Sequence, residues 1–229
     1  MVQRGGRLVR SFNKDWWVAL GLTLLIGGGG GILLVAEVMR RSEPTSVRAS
    51  QAVFDREVAA VRAGKSKTVR LASSQGTDKL LEQLQDVPGV EGLELDLTDV
   101  TDSGMDAVAR LRGLRRLKIY GGFPGIGDRG FARLKPLSKL EELQLINTQV
   151  TDEGLPVLKS FPRLRDLTLF HEKWRNFTFT PAGLVDLEGL KSLRRLELSG
   201  GWASKNDIRA LRRALPDCSI DLHERDPAR

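Results

Sequence analysis

The chain has 229 residues, 41% of them hydrophobic and 28% charged, which suits one domain with an extension and excludes a disordered or collagen-like chain. One cysteine and two histidines exclude a disulfide framework and a cysteine- or histidine-rich metal cluster. The net charge of +7 divides into +3 for residues 1–15, +1 for 37–48 and +3 for 49–229, with no long run of like charge, so it argues against nucleic acid as a partner.

Residues 1–15 are a basic N-terminal tail. Residues 16–36, WWVALGLTLLIGGGGGILLVA, carry no charge. As a helix they would be about 31 Å long, the thickness of a bilayer core. Trp16 and Trp17 stand where interfacial aromatics belong. The stretch predicts a single transmembrane helix over 16–38. The larger basic excess before it places the N-terminus in the cytoplasm and the rest of the chain on the non-cytoplasmic side, although Arg40 and Arg41 pull the other way. A cleaved signal peptide competes, but the stretch is long and Leu34-Val35-Ala36 is a poor cleavage signal. A buried soluble helix would carry Gly27 to Gly31 at a high conformational cost. In lipid, Gly27 and Gly31 satisfy G-x-x-x-G, which adds a homo-oligomer to the alternatives beside a single anchor.

Residues 39–49 are polar and read as a linker. Residues 50–67 read as a capping helix and turn: Val53, Phe54, Val58 and Val61 fall near one face, and Gly64 comes next as a stop. This helix is placed to cover the first open edge of the segment that starts at Thr68.

From Thr68 a leucine alternation recurs: Val69-Arg70-Leu71, Leu93-Glu94-Leu95, Leu117-Lys118-Ile119, Leu143-Gln144-Leu145, Leu167-Thr168-Leu169, Leu196-Glu197-Leu198 and Ile220-Asp221-Leu222. Successive first positions lie 24, 24, 26, 24, 29 and 24 residues apart. Leu114, Leu140, Leu164 and Leu193 each precede their strand motif by three residues. Period-two alternation predicts strands with one buried face. Between them, Thr101-Asp102-Ser103-Gly104-Met105 matches Thr151-Asp152-Glu153-Gly154-Leu155 and Thr180-Pro181-Ala182-Gly183-Leu184. Proline favours the first helical position, so Thr180 reads as a helix cap, and by alignment so do Thr77, Thr101, Thr151 and Ser204. Asp78, Asp102 and Asp152 then oppose the helix dipole. Ile126-Gly127-Asp128-Arg129-Gly130 lacks a hydroxyl cap.

These residues resemble a leucine-rich-repeat protein of the ribonuclease-inhibitor-like or F-box-associated subclass, here without an F-box and of the bacterial, membrane-anchored type. The resemblance covers residues 68–222; 223–229 form a polar tail. It implies an α/β solenoid: a short horseshoe with a parallel concave sheet of about seven strands and convex helices, preceded by the transmembrane helix. It implies little about the ligand, because such repeats bind many partners.

On the concave face the pattern predicts three rows across the strands. Glu142 and Asp166 become neighbours in the first, flanked by Arg116 and Arg195: a site for a cationic group, or a ladder that the arginines neutralise. Tyr120, Ile146 and Phe170 become neighbours in the third. With His171, Trp174 and Trp202 from adjoining loops they form a candidate protein-binding patch. The competing reading has the aromatics folding inward to seal the core, as Phe179 is expected to do.

No phosphate-binding loop, zinc-protease motif or nucleophile–base arrangement is legible. Cys218 reads as a packed residue, and His171 and His223 lie two units apart. The expectation is a non-catalytic, cofactor-free membrane-anchored module that binds a protein ligand. The alternatives are an envelope scaffold self-associating through Gly27 and Gly31, and a cytosol-facing adaptor.

Overall fold

Seven five-residue strands stand where the leucine alternation falls: β1 (Thr68–Ala72), β2 (Gly92–Asp96), β3 (Arg116–Tyr120), β4 (Glu142–Ile146), β5 (Asp166–Phe170), β6 (Arg195–Ser199) and β7 (Ser219–His223). They form one parallel sheet in sequence order, so every connection returns over the same face. This is a computed structural model, and it describes residues 45–72, 77–96, 98–121, 125–171, 179–199 and 203–223. The chain divides into two units, Met1–Thr45 and Ser46–Arg229, and the sheet belongs wholly to the second. The expected transmembrane segment, with Gly27 and Gly31, lies outside the described residues. Among the described residues no helix is long and apolar enough to cross a membrane.

The connections carry α1 (Thr45–Arg62) before β1, then α2 (Asp78–Gln83), α3 (Met105–Arg110), α4 (Asp128–Arg133), a 3-10 helix (Leu155–Ser160), α5 (Leu184–Leu187) and α6 (Lys205–Ala214). Most are shorter than two turns. The connection Leu155–Ser160 is a 3-10 helix, and Pro156 stands in its first turn, where the missing N–H has no helical partner to lose. The leucines of the strands and of the turns before them close one continuous core: Leu93, Leu95, Leu114, Leu117, Leu140, Leu143, Leu164 and Leu167 are all at most 1% exposed. Each such burial is worth about 1.5–3 kcal/mol, which no single strand-and-helix unit could realise alone.

Helix α1 begins five residues earlier than the hydrophobic pattern predicts, within the expected linker, because neither glycine nor proline interrupts residues 45–63. It stops as expected at Gly64, whose φ of 69° supports a Schellman closure, with Gly64 N donating to Val61 O and Lys65 N to Ala60 O. Phe54, Val58 and Val61 are buried against the core, and Glu57 Oε2 accepts from Arg70 N on the outer edge of β1. The first edge is thereby covered.

The repeated T-D-x-G motif has a physical cause beyond the helix dipole. Each aspartate reaches forward to the next repeat. Asp78 accepts from Thr101 N at 2.9 Å and Thr101 Oγ1 at 2.7 Å. Asp128 accepts likewise from Thr151, at 2.8 and 2.7 Å, and Asp152 from Thr180, at 3.0 and 2.5 Å. Asp102 meets Gly127, so only the backbone bond forms there, at 2.9 Å. The motif glycine makes room: a Cβ on Gly104, Gly130, Gly154 or Gly183 would overlap the carboxylate of the preceding repeat. Pro181 takes the aspartate's place in the fifth helical connection, and there Ser204 forms a capping box with Asp207 instead.

Thr77, Thr101, Thr151 and Ser204 cap as expected. Thr180 occupies the cap position without a capping bond from its side chain; its hydroxyl donates to Asp152 instead.

Candidate functional site

The face of the sheet turned away from the core carries the predicted rows in register. Thr68, Gly92, Arg116, Glu142, Asp166, Arg195 and Ser219 align across the seven strands. Glu142 and Asp166 are therefore cross-strand neighbours, at a separation where like charges repel.

The two flanking arginines do not neutralise them. Arg116 turns the other way, across the side-chain-free Gly92, and its Nη2 donates to Thr68 Oγ1 at 3.4 Å. Arg195 Nη2 pairs with Glu197 Oε1 on its own strand at 2.5 Å. Glu197 is held further by Thr168 Oγ1, at 3.3 Å. Glu142 accepts, among the described residues, only from the neutral amide of Gln144, at 2.8 Å. Among the described residues, neither Glu142 nor Asp166 has an ion pair. Lys118 stands diagonal to Glu142, also without one. At the β1 end, by contrast, Arg70 and Glu94 pair at 2.8 Å, and that bond raises the Arg70 pKa above its ordinary value.

The apolar row is also in place. Tyr120 pairs with Ile146, and Ile146 with Phe170. All three are half-buried rather than fully open. The pairing stops short at the next step: β5 and β6 are matched only as far as Leu169 and Leu198. There His171 N donates to Ser199 Oγ at 3.0 Å. Phe170 leans over buried Ser199 to meet His223 edge to face, with 6.1 Å between ring centroids.

His171 departs from its expected place in the patch. It is 4% exposed and packs edge to face on Phe179 at 5.3 Å, and Phe179 is itself 1% exposed. These two rings seal the core at the end of β5, the role expected for Phe179 alone. His171 comes directly after β5, and burying its ring there removes apolar area from water. Trp174 and Trp202 lie outside the described residues.

Two features escape a reading of the sequence by rows. Asn147, buried at φ 54°, turns the chain out of β4; asparagine is among the few residues besides glycine that adopt this conformation readily. The second is a cavity of about 640 Å³ between α6 and β7, lined by Ile208, Arg212, Ile220, Leu222 and His223. Asp221 and Leu222 in the strand motif mark that edge only as the last of the array. Neither a protein-family model nor a curated protein matches the chain.

Proposed function

We propose that this is a leucine-rich-repeat binding protein, without catalysis, that holds a segment of a protein partner on the open face of its sheet. In this reading the chain is anchored by residues 16–38, with its N-terminus cytoplasmic and the repeats on the other side of the membrane. One observation supports the binding role above the rest: Glu142 and Asp166 stand side by side uncompensated, while the arginines beside them are engaged elsewhere. An acidic pair on a sheet face is offset by a cation that the partner brings.

Ile146 and Phe170 stand four residues further along the same two strands, about 13 Å away at the usual rise. The partner segment is therefore basic at one point and apolar at another, about four residues apart along an extended chain. Tyr120 and His223 flank the apolar end, and Lys118 disfavours a second cation on the β3 side.

Selection of random peptides on the full-length chain in neutral detergent tests this. The expected outcome is enrichment of peptides that pair a lysine or arginine with a large apolar residue four positions away. Their binding would be weakened by Glu142→Gln and by Asp166→Asn, and left unchanged by Glu153→Gln at the helix start after β4, off the strand face. Enrichment without basic residues, or binding indifferent to both acidic positions, would overturn the proposal.

A further inference from the structure

Charge is sharply segregated between the two rims of the sheet. The turns that lead into β3 to β6, residues 110–115, 133–141, 159–165 and 188–194, hold eleven lysines and arginines against two carboxylates, Glu141 and Glu188. On the opposite rim, the described residues of 96–102, 125–129 and 147–153 hold six carboxylates against one arginine, Arg129. Summing charge along the chain blurs this, because the acidic rim offsets about half of the basic rim's charge.

Helix dipoles account for only part of it. Arg110, Arg133 and Lys159 lie in last turns, where a cation is favoured. Arg112, Lys135, Lys139, Arg163, Arg165 and Lys191 lie beyond the helices. Among the described residues none of these six has a carboxylate partner; Arg112 and Lys191 donate to backbone carbonyls, of Pro136 and Ala214. Their side chains are exposed. The strands after these turns start in register, Arg116 beside Glu142 beside Asp166 beside Arg195, so the turns stand side by side along one rim of the sheet.

We infer that this basic rim docks on the anionic headgroups of a lipid bilayer. The chemistry of the rim separates that partner from other polyanions. Its turns contain no asparagine or glutamine to read base edges, and Phe161, their one aromatic residue, is buried, so nothing stacks on a nucleobase. The leucines of these turns are buried too, so there is no apolar centre of the kind a protein interface is built on. A row of exposed cations without apolar or amide groups suits a headgroup layer, where attraction adds up residue by residue. The reading of 16–38 as an anchor would hold the domain within reach of a bilayer, but the attraction of the rim to anionic headgroups does not depend on it. Nor does the inference rest on the peptide-binding role of the open face.

The test uses the full-length chain carrying Ser138→Cys, an exposed rim position, in a Cys218→Ser background, labelled with an environment-sensitive fluorophore. It is added to vesicles of phosphatidylcholine alone, and to vesicles with about 30% phosphatidylglycerol. Emission is expected to rise about threefold only with the anionic vesicles, and to fall back in about 0.5 M salt. The fivefold variant Arg112→Gln, Lys135→Gln, Lys139→Gln, Arg163→Gln, Arg165→Gln should remove the rise while keeping the wild-type melting profile. The salt dependence of the unsubstituted rim decides the matter if that variant misfolds.

Equal emission with both vesicles, or a rise that salt leaves intact, would overturn the inference. So would tight binding of duplex DNA by the rim at physiological salt without a response to anionic vesicles. Flotation of the chain with neutral vesicles reports on the anchor separately: a chain that fails to float there yet lights up on anionic vesicles refutes the anchor and keeps the rim.

Discussion

Phe170 and His223 meet edge to face at 6.1 Å although β6 lies between their strands. Neighbouring strands lie about 4.8 Å apart, so the rings close this gap only by leaning over a small residue. Ser199 is that residue. It is 3% exposed, and its hydroxyl accepts from His171 N where the backbone ladder ends. The relationship finishes the apolar row at the last strand.

Ser199→Ala should cost about 1 kcal/mol, the worth of one hydrogen bond, with the added cost of a buried amide left unpaired. Ser199→Leu should cost more and separate the rings, because the branched side chain takes the space beneath them. Urea denaturation measures the cost, and the chemical shifts of His223 report the loss of the ring contact.

The Asp128–Thr151–Gly154 unit makes a second expectation. A Cβ at Gly154 overlaps the Asp128 carboxylate and approaches Val150, so Gly154→Ala should destabilise by about 1–3 kcal/mol. Asp128→Ala removes two hydrogen bonds to Thr151 and should cost about as much. The double variant should cost clearly less than the sum, because removing the carboxylate frees the space that the methyl group needs. Additive losses in a double-mutant cycle would refute this coupling.

The capping box of α6 gives a pH dependence. Hydrogen bonds from Ser204, side chain first and then backbone, hold the Asp207 pKa below its ordinary value. A depressed folded pKa contributes stability that is present above the unfolded carboxylate pKa of about 3.9 and is lost as pH falls through the folded value. The stability difference between wild type and Asp207→Asn should therefore shrink below about pH 4. A difference constant across that range, measured by thermal melts at successive pH values, would contradict it.

Burial pushes the Cys218 thiol pKa up, with Arg194 opposing and Asp166 and Asp221 reinforcing the shift. Cys218 should resist alkylation in the folded protein at pH 8 and react at the ordinary rate once unfolded. Iodoacetamide labelling with and without urea checks this.

Strand positions and cross-strand rows were legible because a period-two alternation at a near-constant spacing leaves one register that buries every leucine. The rows of Glu142 with Asp166 and of Tyr120, Ile146 and Phe170 follow from that register alone. The direction of a long side chain does not. Arg116 and Arg195 each had two carboxylates or hydroxyls in reach, and pairwise geometry chose Thr68 and Glu197. His171 comes directly after Phe170, so a strand pattern continued outward keeps it open; the end of the ladder at Ser199 turns it inward. The reach of Asp78, Asp102, Asp128 and Asp152 into the next repeat was hidden for another reason. A helix-start motif explains those residues within one repeat, and the glycine two places after Asp102, Asp128 and Asp152 gains its meaning only when the repeats stack.

The acidic pair ties stability to binding, and Asp166→Asn tests that tie most directly. Neutralising one of two cross-strand carboxylates should raise stability by about 0.2–1 kcal/mol. The same change should weaken a selected basic–apolar peptide about tenfold, or about 1.4 kcal/mol. Paired melting curves and peptide titrations of wild type and Asp166→Asn should show a higher Tm together with a higher Kd. A Kd that does not move would contradict a binding role for the pair.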